Sequence, residues 1–240
     1  MTTIGFSTGA LAFGDFRRGI ELQMGYGLNA IELSALRDSE LIPLVDAIPE
    51  LDLTPFEYIS FHAPSRIASY SETAIVQILL DRVPESWPII LHPDVVVDVT
   101  LWAELGDRLC LENMDQRKPI GRTPSELRGF FDHLPNARFC LDVAHVRQVD
   151  PTMTVAFHLI EEFGDRLAQI HVSDVNDQSR HVSLNAASIA AFRRIARFLP
   201  PCPWIIESVI PASGIEREIQ KVMQSLANPA LCLPRASLAE

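Results

Sequence analysis

The 240-residue chain has only four cysteines, Cys110, Cys140, Cys202 and Cys232, widely spaced and without a C-x-x-C pair. In a chain this long that scarcity excludes a disulfide-built scaffold and points to a reducing, cytoplasmic setting. Cys110 and Cys140 fall inside apolar runs, where a free thiol behaves as a small buried hydrophobe. No uninterrupted apolar stretch approaches the roughly 20 residues that span a bilayer, so no membrane segment is expected. The opening MTTIGFSTGA has neither the basic segment nor the apolar segment of a secretory signal. Basic clusters interleaved with aromatics are missing, and the net charge is −11. Both count against a nucleic-acid partner or an anionic membrane surface. Divalent metals bound among carboxylates would reverse that sign locally. No linker or low-complexity segment divides the chain, so residues 1–240 are expected to form a single domain, with an irregular tail over 228–240.

What is present is an alternation of short apolar runs and longer amphipathic stretches. With 48% hydrophobic residues the chain can fill a large core. The runs Ile4–Ser7, Ala30–Leu33, Tyr58–His62, Ile89–His92, Leu109–Glu112, Phe139–Asp142, Ala168–Val172 and Trp204–Glu207 suit parallel strands buried on both faces. Between them Asp15–Tyr26, Ser39–Ile48, Ser71–Val83, Thr123–Leu134, Pro151–Phe163, Ala186–Phe198 and Gly214–Leu226 have helical spacing. The fourth of these opens with Thr123 as cap, Pro124 at the first helical position and Glu126 three residues after the cap. Eight βα units at intervals of about 30 residues close naturally into a barrel. A doubly wound sheet usually has fewer units and often carries a Gly-rich phosphate loop, which is missing here. The fold class is therefore α/β, a (β/α)₈ TIM barrel.

The chemistry lies in what terminates the strands. The third ends in ISFHAPS (His62), the fourth in IILHPD (His92, then Asp94), and the fifth in LCLENMD (Glu112, Asn113). The sixth ends in FCLDVAH (Asp142, then His145), the seventh in IHVSD (His171, Asp174), and the eighth in IIES (Glu207). Strand alternation places Cys110 with Glu112, Cys140 with Asp142 and Ile205 with Glu207 on one face, the barrel interior. Charged groups inside a barrel are costly unless paired or bound to a cation, and these strand ends offer almost no Arg or Lys. Mixed imidazole and carboxylate donors suit zinc or manganese, with iron or cobalt also compatible. Asp94, Asn113 and Asp174 are candidate supports for the ligands. Glu32, at the end of AIELS, has two readings, an ion pair or a substrate contact. His133 and His158 fall on helices away from the rim.

This ordered set, His, His, Glu, Asp-x-x-His, His, a later His and Glu on successive strands, resembles the xylose isomerase-like barrel superfamily over nearly the whole chain. That superfamily joins sugar and sugar-phosphate isomerases and epimerases to endonuclease IV-type enzymes of AP endonuclease family 2. The epimerase pattern implies one metal on Glu112, Asp142, His171 and Glu207. The endonuclease pattern adds a metal on His62, His92 and Glu112, and a third on His145, His181 and an acid two residues before the latter. Ser179 stands at that acid's position, so one or two ions per chain are expected. His145 and His181 are left for a weak third position or for substrate.

Two chemistries follow from the resemblance. An isomerase or epimerase would act on a small sugar or sugar phosphate through a metal-stabilised enediolate. Glu112 and Glu207 would then approach from well-separated directions, one taking the proton and the other returning it. The alternative is an endonuclease IV-like multi-metal phosphodiester hydrolase acting on abasic DNA or a small phosphoester. A metal-binding barrel without catalysis is a third reading. The compact chain, the lack of a basic footprint and Ser179 favour the first, with a small carbohydrate as partner. Substrate identity and oligomeric state are not written in the sequence.

Overall fold

The computed structural model describes residues 2–226. The expected irregular tail from 228 onward, and Cys232 with it, lie outside the described residues. Strands β1 (Ile4–Ser7), β2 (Ala30–Ser34), β3 (Tyr58–His62), β4 (Ile89–Leu91), β5 (Leu109–Glu112), β6 (Arg138–Asp142) and β7 (Leu167–Val172) follow one another around a closed barrel. A short antiparallel hairpin, β8 (Asp174–Val175) with β9 (His181–Val182), precedes the strand that closes it. That eighth barrel strand is β10 (Trp204–Ile206), paired in parallel with both β7 and β1. All eight barrel pairings are parallel.

The period-two alternation of a strand sorts the residues by side. Phe6, Ile31, Leu33, Phe61, Leu111, Phe139, Leu141, Ile170, Val172 and Ile206 belong to the main core between barrel and helices. The alternate positions, among them Ser7, Glu32, Ser60, His62, Glu112, Asp142, Gln169 and His171, are buried yet polar. Ile90, Cys110 and Cys140 form a small apolar cluster separate from that core. Cys110 and Cys140 lie two residues below Glu112 and Asp142 on the same faces, so beneath β4, β5 and β6 the interior is apolar under a polar top.

The helices are α1 (Thr8–Ala12), α2 (Phe16–Gln23), α3 (Asp38–Ala47), α4 (Glu72–Arg82), α5 (Val99–Trp102), α6 (Pro124–His133), α7 (Val143–Val149), α8 (Thr154–Phe163), α9 (Ala186–Ile195) and α10 (Ile215–Leu226). The expected long helices are all present, and α1, α5, α7 and the hairpin are additions. They are too short for a periodic signal to show in the sequence. Pro151–Phe163 starts later than expected. The Asp150 carboxylate accepts from Thr152 and Val155 backbone nitrogens, and Met153 adopts a left-handed φ of 64°, so the helix begins at Thr154. Thr123 caps α6 as expected, accepting from Glu126 N at 3.4 Å. The Glu126 carboxylate reaches one residue further back, to Arg122 N at 2.7 Å.

One glycine is required by closure. A Cβ on Gly5 would stand 1.7 Å from Ala30 O, a backbone atom of the neighbouring strand. Gly5→Ala therefore has to push β1 away from β2, and a loss of ~2–4 kcal/mol is expected by chemical denaturation. A variant as stable as the wild type would show that the two strands separate at little cost.

Candidate metal centre

The side chains at the carboxyl rim converge. His62 Nε2 and His92 Nε2 stand 3.4 and 3.2 Å from Glu112 Oε2. On the other side of that carboxylate, Oε1 lies 3.4 Å from His171 Nδ1, which is itself 3.4 Å from Glu207 Oε2. The ligand-capable atoms form overlapping groups, His62–His92–Glu112, Glu112–Asp142–His171–Glu207 and Asp142–His145–His181, each within 4.8 Å. Glu112 belongs to the first two and Asp142 to the last two.

Local structure explains the spacing of Asp142-x-x-His145. Asp142 is the N-cap of α7, and its Oδ1 accepts from His145 N at 2.7 Å. A cap and the third helical residue lie on one side of the helix start, so three residues of separation bring carboxylate and imidazole together. Asp142 Oδ2 is left facing the rim. Asn113 clamps the same strand end, donating to Asp142 O at 2.9 Å and accepting from Asp142 N at 2.8 Å. Its own carbonyl oxygen stands 2.9 Å from His145 Nδ1. That Nδ1 is also 3.2 Å from Glu112 Oε1, but its proton is directed at the carbonyl.

The other supports are unequal. Asp94 Oδ2 accepts from Lys118 Nζ at 2.6 Å, and its Oδ1 stands 3.9 Å from His92 Nδ1. Asp174 touches no candidate ligand. It binds Arg147 of α7 and Asn185 at the cap of α9, steadying the hairpin that brings His181 back to the rim. His181 Nδ1 pairs with Ser173 Oγ at 2.7 Å, and its Nε2 is 3.8 Å from Glu207. Ser179 is buried at a φ of 49° and donates to Gln148 Oε1 at 2.7 Å. The carboxylate beside His145 and His181 comes from Asp142 instead. His133 and His158 are exposed on their helices, away from the rim.

Glu32, left open by its sequence context, has no Arg or Lys partner among the described residues. It is fully buried against Ser60, Gln169 and His171.

The residues fit a cation on an independent observation. Among the described residues, all seven buried side-chain atoms without a hydrogen-bond partner lie at this rim: Glu32 Oε1, His92 Nδ1, Asp94 Oδ1, both oxygens of Glu112, Asp142 Oδ2 and His171 Nδ1. Buried polar atoms are otherwise satisfied throughout a native fold. Four of the seven, both Glu112 oxygens, Asp142 Oδ2 and His171 Nδ1, belong to residues of a single donor group, which marks a site suited to a ligand with positive charge.

The metal-free electrostatics agree. Burial opposes ionisation of Glu112, yet the neighbouring His171 and His92 hold its carboxyl well below the usual range. Burial raises Glu207 to about 8, against the pull of His171. Burial works against charge on His62 and His145, but carboxylate neighbours outweigh it and raise them to about 9 and about 10. His181 is driven down to about 3 by burial and by the charge of His145.

The sequence profile of the xylose isomerase-like TIM barrel family matches residues 99–226, just over half of the chain. The chain belongs to that family. Solved structures of similar fold include an AP endonuclease of family 2 from Brucella melitensis, at 15% identity, with 92% of this chain and 99% of that one covered and a TM-score of 0.58. Endonuclease IV from Thermus thermophilus is 16% identical over 92% of this chain and 99% of its own, with a TM-score of 0.57. The 3-keto-D-glucoside 4-epimerase of E. coli is 12% identical over 92% and 98%, with a TM-score of 0.55. A comparison with curated proteins finds no match. At these identities the family's barrel is what is shared, and the neighbours include an epimerase and endonucleases alike. No described helix is long and apolar enough to cross a membrane.

Proposed function

We propose that this family member is a divalent-metal-dependent hydrolase of small phosphoesters. The observation that carries the reading is Glu112, whose two buried and unpartnered oxygens face separate donor groups, Oε2 toward His62 and His92 and Oε1 toward His171. His62, His92 and Glu112 would hold one ion, and Glu112, Asp142, His171 and Glu207 a second. Zinc or manganese best suits such mixed donors. A pair of ions so placed supplies Lewis-acid stabilisation of the attacking and leaving oxygens in an in-line displacement at phosphorus.

The chain's own residues do the rest. Glu112, spanning both groups, fixes their separation. His181, kept neutral by burial and by the charge of His145, stands at the mouth with Nδ1 2.7 Å from Ser173 Oγ and Nε2 3.8 Å from Glu207 Oε2, an uncharged polar group beside the site. Arg66 after β3 and Arg180 in the β8–β9 turn are exposed on loops of the rim face, two cations that suit an anionic substrate despite the acidic chain.

The sugar isomerase or epimerase favoured by the sequence is the second reading. It rests on the intact set Glu112, Asp142, His171 and Glu207, which also converges. It requires Glu112 and Glu207 as two separate proton carriers. Glu112 is shared with His62 and His92 as well as with His171, and this sharing favours the two-ion reading.

The test uses protein reconstituted with zinc or manganese. Hydrolysis of bis(p-nitrophenyl) phosphate or a phosphomonoester is expected, falling ~100-fold or more in His92→Ala, as for loss of a principal electrostatic group. Deuterium uptake from heavy water by a sugar or sugar phosphate, without phosphoester cleavage, would replace this reading by the isomerase. Metal uptake without either reaction would leave a non-catalytic barrel.

A further inference from the structure

Beneath the rim, a polar network crosses the barrel interior where an apolar plug would otherwise pack. Tyr58 OH donates to Gln169 Oε1 at 2.7 Å, and Gln169 Nε2 donates to Glu32 Oε2 at 2.7 Å. Ser60 Oγ donates to the same oxygen at 3.1 Å. His171 Nε2 also stands 3.1 Å from Glu32 Oε2 and 2.8 Å from Gln169 Nε2. His171 and Glu32 are both fully buried.

The opposite edge of the His171 ring faces the candidate metal position. Its Nδ1 lacks a hydrogen-bond partner and lies 3.4 Å from both Glu112 Oε1 and Glu207 Oε2. A neutral imidazole that offers the Nδ1 lone pair to a cation must carry its proton on Nε2. In the metal-free arrangement the Gln169 amide donates toward Nε2 at 2.8 Å. A cation on Nδ1 moves the ring proton to Nε2, and the amide, which has no lone pair to take it, must then turn aside. Glu32 Oε2 is the acceptor within reach.

We propose that Glu32 is a positioning residue for the metal centre, accepting the Nε2–H of His171 and so turning the bare Nδ1 toward Glu112 and Glu207. The proposal rests on the metal site described above and assigns Glu32 Oε2 to His171, although Glu32, His62 and Glu207 also bring ligand atoms within 4.8 Å of one another. Ser60 and Gln169, with Tyr58 behind, hold that carboxylate in place. The arrangement explains why an acid paired, among the described residues, with a histidine and not with Arg or Lys lies in the barrel interior. It also makes His171 a more basic donor, because a hydrogen bond to an anion increases electron density on the ring.

Two variants and one measurement on the unaltered protein test this. In Glu32→Gln an amide oxygen can still accept from Nε2 but the negative charge is gone, whereas Glu32→Ala removes both. Zinc affinity, read by competition with a chelator, is expected to fall about 10-fold in Glu32→Gln and about 100-fold in Glu32→Ala, the range for loss of a partner behind a metal-bound histidine. Glu32→Asp should recover part of the affinity lost in the alanine variant. In the wild type loaded with ¹¹³Cd, ¹⁵N coupling should appear at His171 Nδ1, with a proton on Nε2.

A purely structural Glu32 would lower the melting temperature of the metal-free variants and leave zinc affinity within threefold of wild type. That result overturns the proposal, as does cadmium coupling at Nε2. If Glu32→Ala does not fold, Glu32→Gln and the cadmium spectrum still decide. A wild type that takes up no metal removes the site and this proposal together. A wild type that loads zinc beside a Glu32→Gln variant of unchanged affinity removes the proposal alone.

Discussion

Glu112→Ala is expected to empty two metal positions at once. Elemental analysis of protein reconstituted with zinc should fall from ~2 ions per chain toward none, with turnover down on the order of 10³-fold or more. The reason is that one carboxylate serves both donor groups, His62 and His92 on one oxygen and His171 on the other. Single losses elsewhere should be partial. Asp142→Ala leaves His62, His92 and Glu112 intact, and His92→Ala leaves Glu112, Asp142, His171 and Glu207 intact, so each should retain ~1 ion. Glu112→Gln removes the charge but keeps the side-chain volume, and so serves as the control for the buried cavity that an alanine would leave. Two ions retained in Glu112→Ala would sink the shared-ligand geometry.

Metal should also be a large part of this protein's stability, and the size of its contribution should rise with pH. At free zinc about 1,000 times the dissociation constant, the gain is about 4.1 kcal/mol. For a chain of this length that is a rise of ~8–16 °C in Tm. In the metal-free protein His62 and His145 sit at about 9 and about 10, above the ordinary 6.5 of histidine. Their stabilising contribution is therefore complete below about pH 6.5 and is lost as pH climbs through 9 to 10. Glu207, raised to about 8 from 4.5, acts in the same direction, since the folded form holds its proton more tightly than the unfolded chain does. Metal-free Tm should thus decline between pH 7 and 9. Metal binding displaces the protons of the assigned ligands His62 and Glu207, so affinity should increase with pH, about tenfold per unit for each proton released. The gap between loaded and metal-free Tm must widen from pH 7 to 9. A gap that is constant, or that narrows, would show that none of these groups gives up a proton to the metal.

Much of the molecule was written along the chain. The eight strand runs were legible because parallel barrel strands are buried on both faces and read as continuous apolar segments, from Ile4–Ser7 to Trp204–Ile206. The identity of the rim residues was legible too, since His62, His92, Glu112, Asp142, His171 and Glu207 each close or follow a strand, and barrels carry their chemistry at that end. What the chain could not reveal was sharing. That Glu112 faces two donor groups, that Glu112 and Glu207 each come within 3.4 Å of His171 Nδ1, and that Asp142 groups with His145 and His181 all depend on barrel curvature, which sets distances between strands with no fixed separation in sequence. Short elements were hidden for a related reason. A seven-residue helix such as α7, held by its Asp142 cap, or a hairpin of two-residue strands is stabilised by tertiary contacts and leaves no periodic trace. Glu32 shows the division most plainly. Its place at a strand end was visible, but a lone carboxylate acquires meaning only from what faces it, and Ser60, Gln169 and His171 reach it from 28, 137 and 139 residues away.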